Sequence, residues 1–238
     1  MINHLRKISF KIYEMIYGHN VWSYSLDQIK PIVDKHLISN ELVLDGACGY
    51  RNPWILDKKL KNSIGLDIDK DAIKYNKSHK SFIIQDLHDD INLKNVKTIL
   101  SVYTLEHLKN PKKVLINFKN ILHDDGKIII IAPLKYHYVS IIERMLPNFL
   151  KNLAWKLALG KSHMPYPCYF ELCTRKEIED YAKEINLTLV EYKAIAAPPT
   201  WFGFMPPIFF LLCIFNDFIN RFTFFENIRS TFIVVLRK

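Results

Sequence analysis

Four cysteines in 238 residues are too few and too irregular for a disulfide framework. Cys168 and Cys173 lie five apart, and no second pair completes a zinc site, so no metal is expected. Long apolar runs are also missing. The longest stretch in the aromatic part of the chain, Ile208 to Phe215, falls far short of the ~20 residues a membrane-spanning helix needs. The N-terminus lacks the continuous apolar core of a signal peptide, which points to a cytoplasmic protein. The net charge is +9, but the lysines are spread along the chain rather than gathered in one block. That spread argues against nucleic acid as the main partner. It leaves an anionic membrane surface, at the inner face of the membrane, and a plain solvated surface both open.

Glycine is scarce as well, with seven in the whole chain, yet two fall within Glu41–Asn52, "ELVLDGACGYRN". A buried strand there runs into Asp45-Gly46-Ala47-Cys48-Gly49. The two glycines keep the backbone after Asp45 clear, so that a bulky molecule can approach main-chain N–H groups. The same alternation of short apolar runs and helical stretches then repeats. Strands are expected at 42–45, 63–68, 81–87, 97–104, 126–133, 187–196 and 230–238. Helices are expected at 2–17, 26–37, 54–60, 71–78, 111–122, 149–159 and after the Thr174/Glu177 capping box. This rhythm predicts an α/β protein with a mostly parallel, Rossmann-like sheet and helices on both faces. The length and the 49% hydrophobic content suit one domain with a well-buried core.

Ligands of such sheets bind beyond the carboxyl ends of the strands. Asp45, Asp67 and Asp86 each end a separate strand there, Asp67 lying 22 residues after Asp45. A carboxylate at the second strand end suits the two hydroxyls of a ribose. The third suits an adenine amino group. The third glycine of the dinucleotide fingerprint is absent, since Tyr50, Arg51, Asn52 and Pro53 follow Gly49. Three carboxylates would repel a pyrophosphate and welcome a cation. A nucleoside without phosphates is therefore the expected ligand.

Five motifs, "VLDGACGYRN", "GLDID", "QDL", "SVYTLEHLKNP" and "LHDDGKIIIIAP", stand in order over Leu42–Pro133. Together they resemble the class I S-adenosylmethionine-dependent methyltransferases, nearest to bacterial small-molecule enzymes related to those of quinone biosynthesis. The resemblance implies seven strands with the last one antiparallel. It makes Asp45, Gly46, Ala47, Cys48 and Gly49 the loop for the methionine part of S-adenosylmethionine. It gives the ribose to Asp67, the adenine to Ile68, Asp86 and the Leu87 backbone, and the far side to Ser101 and Tyr103. Departures from the family are Ala47 and Arg51, where glycine is usual, and Lys97-Thr98 before the fourth strand.

Methyl transfer needs alignment above all, and a general base only where the nucleophile holds its proton tightly. His107 in "LEHL" is the expected base. His137, His163, Tyr166 and Tyr169 are the expected substrate contacts, within a lid-like insertion at 137–169. The remaining parts are N-terminal helices at 1–37, a cofactor-binding core at 38–136 and a C-terminal part at 170–238. Nine of the fifteen phenylalanines fall in 201–225, which reads either as a helix buried on the sheet or as a face for lipid or a greasy acceptor. A small-molecule, glycan or lipid-linked acceptor is expected. Two alternatives stand beside it, a cofactor-binding protein with little activity and an RNA methyltransferase. The second lacks the Asn/Asp-Pro-Pro-aromatic motif of amino methylases after the fourth strand.

Overall fold

The structure is a computed structural model that describes residues 2–37, 40–50, 62–159 and 166–238. The helix expected at 54–60, Arg51 and His163 lie outside these residues. The seven strands are β1 (Val43–Gly46), β2 (Ser63–Asp67), β3 (Ser81–Ile84), β4 (Val96–Val102), β5 (Leu122–Pro133), β6 (Thr188–Ile195) and β7 (Thr231–Arg237). They form one sheet in the order β3-β2-β1-β4-β5-β7-β6. The first five are parallel, with Val43 opposite both Ser63 on β2 and Thr98 on β4. The two ends of β7 fix its direction. Leu134, just past β5, donates to Ser230 O, whereas the Lys238 N–H reaches back to Gly126 O near the start of β5. Ser230 also donates to Ile195 O at the end of β6. So β7 is antiparallel to both neighbours, as the family resemblance implied.

Burial explains the strands. Ile128 to Ile131 on β5 and Phe232 to Leu236 on β7 are fully inaccessible, as strands covered on both faces must be. β5 starts earlier than expected. Leu122 pairs with Val96, and a bulge carries His123–Gly126 before the register resumes at Thr98 and Lys127. The order of strands reverses at β1, which has β2 on one side and β4 on the other. In open sheets that reversal opens a crevice at the strands' carboxyl ends.

The described residues also form eight helices: α1 (Ile2–Tyr17), α2 (Ser23–His36), α3 (Lys70–Tyr75), α4 (Pro111–Ile121), α5 (Tyr138–Met145), α6 (Asn148–Leu159), α7 (Arg175–Glu184) and α8 (Pro206–Asn220). Local chemistry sets several of their starts. Asp69 caps α3, Asn110 caps α4 with Pro111 in its first turn, and Thr174 accepts the Glu177 N–H at 3.2 Å to cap α7. The described residues of the insertion form two helices where one was expected; α5 was not foreseen.

The chain divides into two compact units. One consists of Ile29–Pro133, Tyr169–Lys193 and Phe232–Lys238 and contains most of the sheet. The other consists of Met1–Gln28, Leu134–Cys168 and Ala194–Thr231. In this second unit Tyr13 and Val21 pack with Phe209 and Cys213, joined by Phe10, Tyr17 and Phe210. Full burial of Phe209 and Ile219 stabilises α8 by about 2 kcal/mol each. Tyr17 donates to Asp217 at 2.8 Å, and the Arg229 guanidinium donates to the carbonyls of Ala194, Ile219, Asn220 and Phe222.

Candidate functional site

The loop after β1 is held from beneath and from the side. Leu66 O accepts the N–H groups of Ala47 at 2.7 Å and Cys48 at 3.1 Å. The Gly49 N–H donates to Asp67 Oδ2 at 2.8 Å, while Asp67 Oδ1 accepts from the Asp69 N–H. One carboxylate thus ties the β1 loop to the end of β2. Asn76 completes the clamp, donating its amide to Gly49 O at 2.9 Å and Cys48 O at 3.3 Å. Both Ala47 (φ +63°) and Gly49 (φ +57°) are left-handed. Gly49 is open, since a Cβ there would meet nothing within 4 Å. Gly65 is the reverse case: a Cβ there would stand 2.8 Å from Cys48, His79 and Phe82. Its bare backbone makes the room in which Cys48 and His79 sit.

The three strand-end carboxylates are placed very differently. Asp45 is 1% exposed and faces His79, with Oδ2 3.1 Å from Nε2; His79 Nδ1 lies 3.1 Å from Ser63 Oγ. Burial pushes the Asp45 carboxyl up, and the contact with His79 opposes that rise. The neighbouring Cys48 thiol is pushed up to about 12 by burial and by Asp45 and Asp67, so it remains a neutral thiol. Asp67 sits at the edge of accessibility. Asp86 is the most open of the three, with its side chain 42% exposed. Burial raises the Asp86 carboxyl, but the His88 N–H and ring outweigh it and leave the group lowered. Beside these acids, Ile68 is 66% exposed at the end of β2, an apolar surface fit for a flat ring. Asn117 on α4 donates to both Leu87 O and Asp89 O at 2.9 Å and so fixes the loop after Asp86.

Beyond β4 the chain turns sharply. Tyr103 is left-handed (φ +51°), and its N–H donates to Ile131 O. Ser101 is buried, its hydroxyl without a hydrogen-bond partner among the described residues. A short 3-10 turn, Leu105–His107, follows. His107 is partly exposed, and its Nε2 lies 3.8 Å from Glu106 Oε1. Glu106 O accepts the N–H groups of Tyr169 and Phe170, so Tyr169 comes to the turn that carries His107.

His137 belongs to the other unit. It is buried against Tyr138, and burial pushes its pKa down to about 3, which keeps the ring neutral. Tyr166 in that unit is exposed. Asn76, His79, His88 and Asn117 were not foreseen. Each is an ordinary polar residue in the sequence, and only the fold reveals what it holds.

The residues fit an adenosyl cation: an open loop over Gly49, an exposed apolar side chain at Ile68, and carboxylate acceptors at successive strand ends. Comparison with known proteins agrees. The methyltransferase domain family matches residues 17–192, and the chain belongs to that family. No curated protein matches the sequence. Among solved structures, an S-adenosylmethionine-dependent methyltransferase from Mesorhizobium loti is 12% identical, with 90% of this chain and 100% of that one covered and a TM-score of 0.56. A SAM-dependent methyltransferase from Archaeoglobus fulgidus is 13% identical over 96% and 99% of the chains, TM-score 0.53. The mycolic acid cyclopropane synthase CmaA1, in complex with SAH and CTAB, is 14% identical over 93% and 86%, TM-score 0.57. At such identities the likeness is one of fold. Family and fold together agree with the sequence reading that S-adenosylmethionine is the cofactor.

Proposed function

We propose that this chain transfers a methyl group from S-adenosylmethionine to a lipophilic small molecule, such as a quinone precursor or a lipid-linked glycan. The observation that carries the reading is the tie between the Gly49 N–H and Asp67, which joins the β1 loop to the acidic end of β2. Asp67 has lone pairs left over for two ribose hydroxyls after accepting its two N–H groups. Asp86, held by His88, accepts from the adenine amino group, and Ile68 lies against the ring. The Leu87 backbone, fixed by Asn117, borders the same ring. Asp45 to Gly49 bound the methionine part, with Ser101 and Tyr103 opposite.

When bound, S-adenosylmethionine supplies an electrophilic methyl on a sulfonium whose leaving group is neutral. The protein has little new charge to stabilise, and aligning the acceptor does most of the work. His107 takes the proton where the acceptor's nucleophile is a hydroxyl, with Tyr169 at the same turn as a substrate contact. Support for a lipophilic acceptor comes from the apolar surface of α8 and from a fold shared with a mycolic acid cyclopropane synthase. Four free thiols, three of them buried, support a reducing, cytoplasmic setting.

The test is calorimetry with S-adenosylmethionine and its demethylated product, followed by labelled methyl transfer into lipid, sugar and RNA fractions of a lysate. Tight binding with label in the lipid fraction is expected. Absence of binding overturns the reading. Binding without label in any fraction favours a cofactor-binding protein lacking activity, and label in RNA alone favours the RNA enzyme.

A further inference from the structure

A helix packed on a core through one stripe normally shows solvent a polar opposite side. α8 does not. Every exposed residue of this helix is apolar, with Ile208, Leu211, Ile214, Phe215 and Phe218 foremost, and Phe222 extends the row just past its end. At about 100° per residue these side chains cover roughly 120° of the helix surface. The opposite side, Phe209, Cys213, Asn216 and Ile219, is buried. Leu211 and Ile214 are 67% and 65% exposed, and Phe224 in the following turn is 89% exposed. An apolar row of this length on the outside marks a contact surface.

Its neighbour in the same unit has a related pattern. α1 packs on α8 through Phe10, Tyr13 and Tyr17. Its outward side carries Ile8, Ile12, Met15 and Ile16 on one flank and Lys7, Lys11 and a single acid, Glu14, on the other. Arg221, directly after α8, is exposed as well. Greasy rows accompanied by cations are the pattern of helices that lie in the plane of a bilayer interface. Among the described residues no helix is long and apolar enough to cross a membrane.

We propose that the outward stripe of α8, with the cationic flank of α1 and Arg221, docks this protein on an anionic lipid bilayer. Charge decides between lipid and a second copy of the chain. Self-association through this face would press together two molecules of net charge +9, each bringing its own cations. An anionic headgroup layer neutralises the same cations, while its acyl boundary accepts Leu211, Ile214 and Phe218. Docking gives the proposed acceptor class a route to the enzyme, yet it is measured without cofactor, so its failure and that of the methyl-transfer reading are separate results.

The experiment is flotation of the full chain with vesicles of phosphatidylcholine, alone or mixed with phosphatidylglycerol, at low and high ionic strength. Binding to the mixed vesicles at low salt, weakened by salt and by omission of phosphatidylglycerol, is expected. The double variant Leu211→Glu/Phe218→Glu should bind at least about tenfold more weakly, because two apolar side chains leave the lipid. Its circular dichroism and cofactor calorimetry should match the parent, since both positions are exposed. The pair Lys7→Glu/Lys11→Glu should lose mainly the salt-sensitive part. No flotation at low salt overturns the proposal, as does undiminished binding by the α8 variant. A dimer in solution that the α8 variant dissociates, without flotation, assigns the face to a second copy and overturns it too.

Discussion

His79 Nε2 stands 3.1 Å from Asp45 Oδ2, with the two side chains 0% and 1% exposed. The first of the three strand-end acids is therefore backed by a buried imidazole rather than by solvent. Its partner leans in turn on Ser63. Removing one member of such a pair leaves the other buried without compensation. His79→Ala is expected to destabilise the fold by about 3 kcal/mol, read as a lower urea midpoint. The double variant His79→Ala/Asp45→Asn should recover part of that loss. Full additivity of the two single variants would show that the contact contributes nothing.

Asp67 should serve binding and folding together, since each of its oxygens already accepts a backbone N–H. Asp67→Asn keeps the size of the side chain and one acceptor oxygen, while losing the charge and half the acceptor capacity. Cofactor affinity by calorimetry is expected to fall at least about tenfold. Asp67→Ala leaves the Gly49 and Asp69 N–H groups without their acceptor and should also destabilise by about 1–3 kcal/mol.

The glycines of the loop region differ in kind, and substitution by alanine should show it. Gly49→Ala meets open space and is penalised only by its left-handed backbone, about 1 kcal/mol. Gly65→Ala must push Cys48, His79 and Phe82 aside and should cost about 1–3 kcal/mol. The converse change, Ala47→Gly at φ +63°, relieves strain and is expected to leave thermal stability equal or slightly raised. A clear loss of stability in Ala47→Gly would contradict the observed loop conformation.

His137 gives the protein an acid-sensitive step. Its folded pKa is lowered from 6.5 to about 3 by burial, so the folded form binds the proton less readily than the unfolded chain. The stability this provides is complete above about pH 6.5 and is lost as pH falls toward the folded value. Across that window the slope is about 1.4 kcal/mol per pH unit. His137→Phe should flatten the slope of urea-derived stability between pH 6.5 and 4. An unchanged slope would assign the acid sensitivity to other groups.

His107 is tested by kinetics. His107→Gln should lower methyl transfer to a hydroxyl acceptor about a hundredfold while leaving cofactor affinity unchanged. Equal losses in both would make His107 a residue that shapes the loop.

The sheet was legible because its strands are unbroken apolar runs such as Ile128–Ile131, and the acidic strand ends stood out because charge rarely follows such runs without a purpose. The strand order was not legible, since the pairing of β1 with β4, Val43 opposite Thr98, leaves no local trace; the family resemblance implied only seven strands with the last one antiparallel. α5 was missed because Tyr138–Met145 shows little more than two helical turns amid scattered aromatics. The polar supports were missed for a different reason. Asn76, His79 and Asn117 look like surface residues until packing encloses them, and no periodicity marks a buried amide. For the phenylalanine-rich segment the sequence posed a choice between core and surface. The structure divides a single helix between the two, with Phe209 and Cys213 inward and Leu211 and Phe218 outward.

The position of β7 has a consequence for biosynthesis. β6 occupies the rim of the sheet, and among the described strands its only neighbour is β7, which the ribosome makes later. During translation β6 must therefore wait with its backbone unpaired, and β5 waits with one edge bare. Insertion of Phe232–Leu236 closes both gaps together, so these edges are open to wrong pairing until β7 has been made and docked.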